Sequence, residues 1–232
     1  MINRIDIQKM TRLGIFTAII FLMLVSGLGM IQPVFPFSPK VTTLHIPVII
    51  GACLMGWKSG AFLGGMFGLA SFINNSFIAP GPFSFVFTPF YTAPSDFAGN
   101  GNDIAFGGNF GSLIICFVPR IMVGLIAGLV FKYIMRINSA KKLPSAGMIG
   151  IAGGVAGLLG AATNTVLVMS GISLFFGNAY SVGYSILNDA PFTMADIIRT
   201  TVLSNGIAEA IVAALLSAAI VVPLTKIDLL GN

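Results

Sequence analysis

The segment TTLHIPVIIGACLMGWKSGAFLGGMFGLASFINN, residues 42–75, constrains the fold more than any other part of the chain. Two apolar runs flank a tight basic turn at Gly56, Trp57 and Lys58. A hydrocarbon core of about 30 Å is crossed by roughly 17 to 25 largely apolar helical residues. The segment therefore predicts a helical hairpin folded back through a bilayer, with its turn at the membrane surface. The second arm carries Gly60, Gly64 and Gly68 in a repeated Gly-xxx-Gly pattern, which puts all three on one helix face and lets a neighbouring backbone come close.

Composition extends this reading to the whole chain. Hydrophobic residues make up 56% and charged residues 8%, with a mean hydropathy of +0.97, whereas soluble domains carry about 25% charged residues. The chain reads as an all-α integral membrane protein. Its net charge of +5 comes from bases placed at the ends of apolar segments, a pattern of membrane orientation and not of nucleic-acid binding. Cys53 and Cys116 lie inside apolar runs with no CxxC or His/Cys spacing, which favours buried thiols over a disulfide or metal site. The first apolar run is too long for a cleavable signal.

Six spans are expected, at about 13–31, 43–56, 59–75, 111–131, 147–175 and 194–222, forming one domain over 1–232. The second is short, as if covered by loops instead of lipid. Three connections stand out. Residues 32–40 hold three prolines and cannot continue a helix. Residues 76–110 begin with five phenylalanines and Tyr91 interrupted by prolines, a composition too aromatic for a disordered linker and suited to an ordered lid. Residues 176–193 mix aromatic and polar side chains and read as a further loop. With both termini cytoplasmic, nine of the twelve bases (Arg4, Lys9, Arg12, Lys58, Lys132, Arg136, Lys141, Lys142 and Lys226) fall inside and only Lys40 falls in an external loop, as the positive-inside rule requires. The long loops then cap an outward-facing pocket.

Polar residues within the spans are the candidate site. At about 1.5 Å of rise per residue, Arg199 lies about 8 Å below the outer end of its span, Arg120 about 13 Å and Asn205 about 16 Å, with Asn164 and Asn74 at similar levels. A charge near the bilayer centre costs on the order of 2.5–3.5 kcal/mol and is kept for a partner, a cavity or a ligand. Arg120 and Arg199 either pair internally, with Asp196, Asp189 or Glu209, or present a guanidinium fork to an anionic ligand. Glu209, counted about 24 Å down, reads as a structural hydrogen-bond partner in the inner half. Asn74, Asn75, Asn164 and Asn205 can bond amides and hydroxyls, or serve as interhelical glue. His45, the only histidine, is either a satisfied helix-end residue or a ligand contact, and Tyr91 belongs to the lid. No HExxH, GxSxG, phosphate loop or paired acidic motif is present. No catalysis, cofactor or metal is expected, and an energy-coupled role needs another subunit.

The hairpin HIPVIIGACLMGWKSGAFLGGMFGLAS, the motif PRIMVGLIAGLVFK, the pair Asn164–Thr165 and the run NGIAEAIVAAL together resemble the substrate-binding S components of energy-coupling factor vitamin transporters. Their wording is most similar to the pantothenate-type members. The resemblance implies a subunit of the bacterial cytoplasmic membrane that binds a vitamin from outside, joins a transmembrane coupling subunit and two ATPases, and topples to release its ligand inside. It places the docking pair of span one at Gly14 and Ala18, where the family carries Ala-xxx-Ala. Folate, a hydroxymethylpyrimidine or pyridoxine-like compound, or cobalamin are alternative ligands within the family. A channel or a structural membrane subunit is the alternative outside it, although polar residues gathered in one half of the spans favour a capped site over a pore.

Overall fold

The computed structural model describes residues 4–31, 41–92, 107–137 and 145–230. The three-proline loop with Lys40, the polar half of the long connection with Asp96 and Asp103, and the loop bases Lys141 and Lys142 lie outside those residues. Among the described residues, five helices are long and apolar enough to cross a membrane, and a shorter apolar helix accompanies them.

Helix α1 (Arg4–Val25) leads into a two-residue strand β1 (Met30–Ile31), which pairs antiparallel with β2 (Val41–Thr42). Helix α2 (His45–Met55) follows. Its 11 residues span about 16 Å, too little to cross a bilayer, and nine of them are buried, as expected of a segment covered by protein. Gly56 ends α2 with φ of 87°, a conformation that costs glycine nothing sterically, and helix α3 (Trp57–Ile73) starts directly after it. α3 continues as a π-helical turn, Asn74–Ile78. The lid that follows holds a 3-10 turn at Ser84–Val86.

Helix α4 (Phe110–Ile137) contains Pro119. Helix α5 (Ala146–Asn188) begins at Ser145, whose hydroxyl accepts from the Met148 N–H, and runs unbroken for 43 residues to Asp189 in the left-handed conformation. The expected loop 176–193 is therefore helical as far as Asn188. Phe176, Ala179, Tyr180, Gly183 and Tyr184 recur at helical spacing on the buried side, and packing of that stripe outweighs the loop-like composition. At about 65 Å, α5 is roughly twice as long as the hydrocarbon core is thick. Helix α6 (Met194–Thr201) opens on a capping box between Thr193 and Asp196. It passes through a second π-helical turn, Val202–Gly206, into helix α7 (Ile207–Leu230).

The glycine face of α3 seats α4. A Cβ built on Gly60 would meet the Gly124 carbonyl, one on Gly64 the Arg120 carbonyl, and one on Gly68 the Phe117 ring at 2.8 Å. Two apolar clusters result. One lies toward the Gly56 turn and includes Ile49, Leu63, Phe67, Val123, Ala127, Ala156, Ala161 and Ala213. The other lies under the lid and includes Phe85, Val86, Ile115, Met169, Phe176, Tyr180 and Ile197. The apolar stretches of α1 and α7 are only 11% and 17% buried, against 44% for α3, α4 and α5, so these two helices form the periphery.

Candidate ligand site between two apolar clusters

Each long packed helix carries buried polar residues where it passes from one cluster to the other. On α3, Ser71, Asn74 and Asn75 lie beyond Phe67 and Ala70 and below Phe85 of the lid. On α4, Arg120 falls between Ile115 and Val123. On α5, Asn164 falls between Ala161 and Met169. On the α6–α7 helix, Thr201 and Asn205 fall between Ile197 and Ala213. His45, 1% exposed, is the first residue of α2. The polar band is thus a layer of the fold, and both π-helical turns lie in it, carrying Asn74, Asn75 and Asn205. An extra residue in a helical turn re-aims side chains, and such turns recur at functional sites.

Arg120 is 5% exposed. Its Nη1 donates to the Ile115 carbonyl at 2.6 Å and its Nη2 makes a long contact of 3.5 Å with the Ser71 hydroxyl. The guanidinium carbon lies 5.5 Å from the Phe67 ring centroid and 5.0 Å from that of Phe87. Cation–π contacts stabilise a desolvated guanidinium by about 2 kcal/mol, but they supply no counter-charge. The Glu209 carboxylate is engaged elsewhere: its Oε1 accepts from the Thr42 N–H at 2.9 Å. Among the described residues no carboxylate forms an ion pair with Arg120.

The bond to Thr42 revises the level assigned to the start of the second span, not that of Glu209. Counting residues from a common outer plane puts Glu209 in the inner half, and α2 starts part-way down the bundle, so Thr42, which precedes α2, meets Glu209 there. Glu209 ties the β2 strand to α7, a structural role.

Buried polar side-chain atoms with no hydrogen-bond partner among the described residues concentrate in the same band. Four of the six are Nδ1 and Nε2 of His45, Nε of Arg120 and Oδ1 of Asn164; the others are the Ser217 and Thr225 hydroxyls lower on α7. The Thr42 backbone lies close to the His45 ring without forming a well-aligned bond. An orphaned buried polar group costs about 1–3 kcal/mol. Gathered at one level between apolar layers, these atoms leave donors and acceptors that a polar ligand could use. The charge and donors of Arg120 suit an anion, and the Asn164 carbonyl oxygen suits a hydroxyl or amide N–H.

The lid is fastened over this band by side-chain bonds. Asn75 Nδ2 donates to the Ser71 carbonyl at 2.8 Å, and its Oδ1 accepts from the Ser84 hydroxyl at 3.0 Å. Ser112 donates to the Phe85 carbonyl at 2.6 Å, and Ser76 to the Thr88 hydroxyl at 2.8 Å. Phe83 packs against Tyr180 with ring centroids 4.4 Å apart, and Phe85 against Phe176 at 5.6 Å. These anchors hold Phe87 beside the Arg120 guanidinium. Tyr91 is half-buried in the lid, where its carbonyl accepts from the Gly108 N–H at 3.2 Å.

The sequence candidates thus separate by position. Arg120, Asn74, Asn164, Asn205 and His45 share the band, with Tyr91 in the lid above. Arg199 is exposed on α6, one turn after Asp196, whose carboxylate is engaged with Thr193. Gly14 and Ala18 lie on the exposed face of α1, and a Cβ on Gly14 would meet nothing within 4 Å. Sequence reasoning missed Ser71, Phe67 and Phe87 around the guanidinium. Phe67 and Ser71, at helical spacing from Gly60, Gly64 and Gly68 on the packed face of α3, left a readable signal; Phe87 did not.

Two comparisons with known proteins bear on this site. A family model described as ECF transporter, substrate-specific component, matches residues 8–224. The pantothenic acid transporter PanT of Lactococcus lactis subsp. cremoris (strain MG1363) is 36% identical to the chain over 193 residues, covering 83% of this chain and 82% of the relative.

Proposed function

The chain belongs to the family of substrate-specific components of ECF transporters, and from that membership we propose that it is the high-affinity vitamin-binding subunit of an ATP-driven importer, with pantothenate as its ligand. The ligand assignment draws on the similar Lactococcus transporter of pantothenic acid and on the polar band. Pantothenate is a carboxylate joined through a secondary amide to a hydroxylated chain with two methyl branches. It needs a cation at one end, amide and hydroxyl partners along its length and an apolar wall. Arg120 receives the carboxylate, Asn74, Asn164, Asn205 and His45 bind the amide and hydroxyls, and the lid with Tyr91 closes over the methyl groups. Arg199, exposed on α6, is left outside this set. The observation that carries the reading is a buried guanidinium with no carboxylate partner among the described residues.

Titration calorimetry of the purified chain in detergent, without ATPases, tests this. Submicromolar binding of pantothenate and silence with folate, thiamin-precursor pyrimidine, pyridoxine and cobalamin are the expected results. Tight binding of another vitamin would keep the family and replace the ligand, whereas silence throughout would overturn the binding role.

Energy comes from elsewhere in this scheme. A transmembrane coupling subunit docks on the exposed small-residue face of α1 at Gly14 and Ala18 and brings two ATPases, with both termini of the chain in the cytoplasm, as the distribution of bases favours. Gly14→Trp combined with Ala18→Trp is expected to leave pantothenate affinity unchanged and to abolish ATP-dependent uptake into cells or proteoliposomes. Loss of binding together with uptake would count against a docking face.

A further inference from the structure

Pro119 immediately precedes Arg120 within α4 and is itself buried. Proline has no N–H to give to the carbonyl four residues earlier, and its ring pushes that carbonyl off the helix axis. Here the carbonyl belongs to Ile115, which is 1% exposed. In a bilayer no water satisfies such a group, so a side chain must. Arg120 does so, through Nη1 at 2.6 Å.

That bond commits one end of the guanidinium to its own helix. Of the other two nitrogens, Nη2 has the long 3.5 Å contact with Ser71, and Nε has no partner among the described residues. Nε and Nη2 form one edge of the guanidinium plane, with parallel N–H bonds spaced to match the two oxygens of a carboxylate. We propose that Pro119 is a positioning residue for the ligand carboxylate: by withholding its N–H it makes the Ile115 carbonyl the anchor for Nη1, and so presents the Nε–Nη2 edge of Arg120 for bidentate binding. The proposal rests on the reading above that Arg120 receives a carboxylate. With alanine at 119 the carbonyl swings back toward a restored backbone N–H, the Nη1 anchor loosens, and ordering the guanidinium falls to the ligand.

The test compares two ligands by calorimetry on the full chain: pantothenate, and pantothenol, in which a primary alcohol replaces the carboxylate. Pro119→Ala is expected to weaken pantothenate by about tenfold, the scale of one charge-assisted hydrogen bond, and to change pantothenol by less than about twofold. Equal weakening of both ligands would make Pro119 a merely structural residue, and no change in either would remove it from the site; each result overturns the proposal. If Pro119→Ala does not fold, Pro119→Gly restores the same N–H on a more yielding backbone and must give the same split. If the unmodified chain binds pantothenol as tightly as pantothenate, it is the assignment of the carboxylate to Arg120 that fails, and that result is separate from the effect of Pro119.

Discussion

Arg120→Ala is expected to lower the affinity for pantothenate by a factor of about 10² to 4 × 10³, because truncating one partner of a buried, hydrogen-bonded charge pair typically costs about 3–5 kcal/mol. Two terms add. The ligand loses a bidentate, charge-assisted contact, and its carboxylate is then left in an apolar setting without a counter-charge. The unliganded protein should respond far less. It no longer buries a cation that lacks an ion-pair partner among the described residues, but the Ile115 carbonyl loses its donor, and these changes oppose each other at about 1–3 kcal/mol apiece. Calorimetry gives the affinity and thermal melting of the unliganded variant gives the fold. Arg199→Ala, at an exposed position on α6, is the matched control and should stay within about twofold of the parent, as surface substitutions do. Near-native pantothenate affinity in Arg120→Ala would remove this arginine from the site.

What could be read from the sequence, and what could not, follows from which forces act locally. The hairpin at Gly56 and the glycine face of α3 were legible because each depends on residues a few positions apart: a positive φ of 87° at Gly56 and helical spacing at Gly60, Gly64 and Gly68. The polar band was legible as a set of intramembrane polar residues, since few other reasons keep Arg120 or Asn164 in an apolar helix. Levels between helices were not, because they depend on where each helix begins. α2 begins part-way down, and Glu209 therefore meets Thr42 at 2.9 Å where a count from the membrane surface separates them. The π-helical turns at Asn74 and Asn205 have no sequence signature, as they express a compromise among neighbours that only the packed bundle imposes. The far end of α5 was readable in principle. Phe176, Tyr180 and Tyr184 share a helical stripe, but the mixture of aromatic and polar side chains over 176–193 reads as a loop, and what decides for helix is the packing of that stripe against the lid aromatics.

Gly64→Ala is expected to be the most damaging single-methyl change on α3. Between lipid-embedded helices no hydrophobic gain drives association, so close backbone contact has to supply it. The added Cβ would land on the Arg120 carbonyl, with Arg120 C and Ile121 Cα both 2.8 Å away. Because these are backbone atoms, no side-chain rotation relieves the clash, and α3 and α4 must separate. Overpacking of this kind costs about 3 kcal/mol, a fall in melting temperature on the order of 10 °C for a chain of this length. Gly65→Ala is the control: its Cβ would meet nothing within 4 Å, on the same helix with the same propensity change, and the melting temperature should hold. Trp57, the only tryptophan, sits at the foot of the same interface, where a Cβ on Gly128 would meet its Cα at 2.6 Å, so its fluorescence reports the separation directly. Binding should fall as well, since the atom displaced is the carbonyl of Arg120 itself and the guanidinium moves with its backbone. If Gly64→Ala and Gly65→Ala melted together and bound pantothenate alike, the glycine face would not be what holds Arg120 in place.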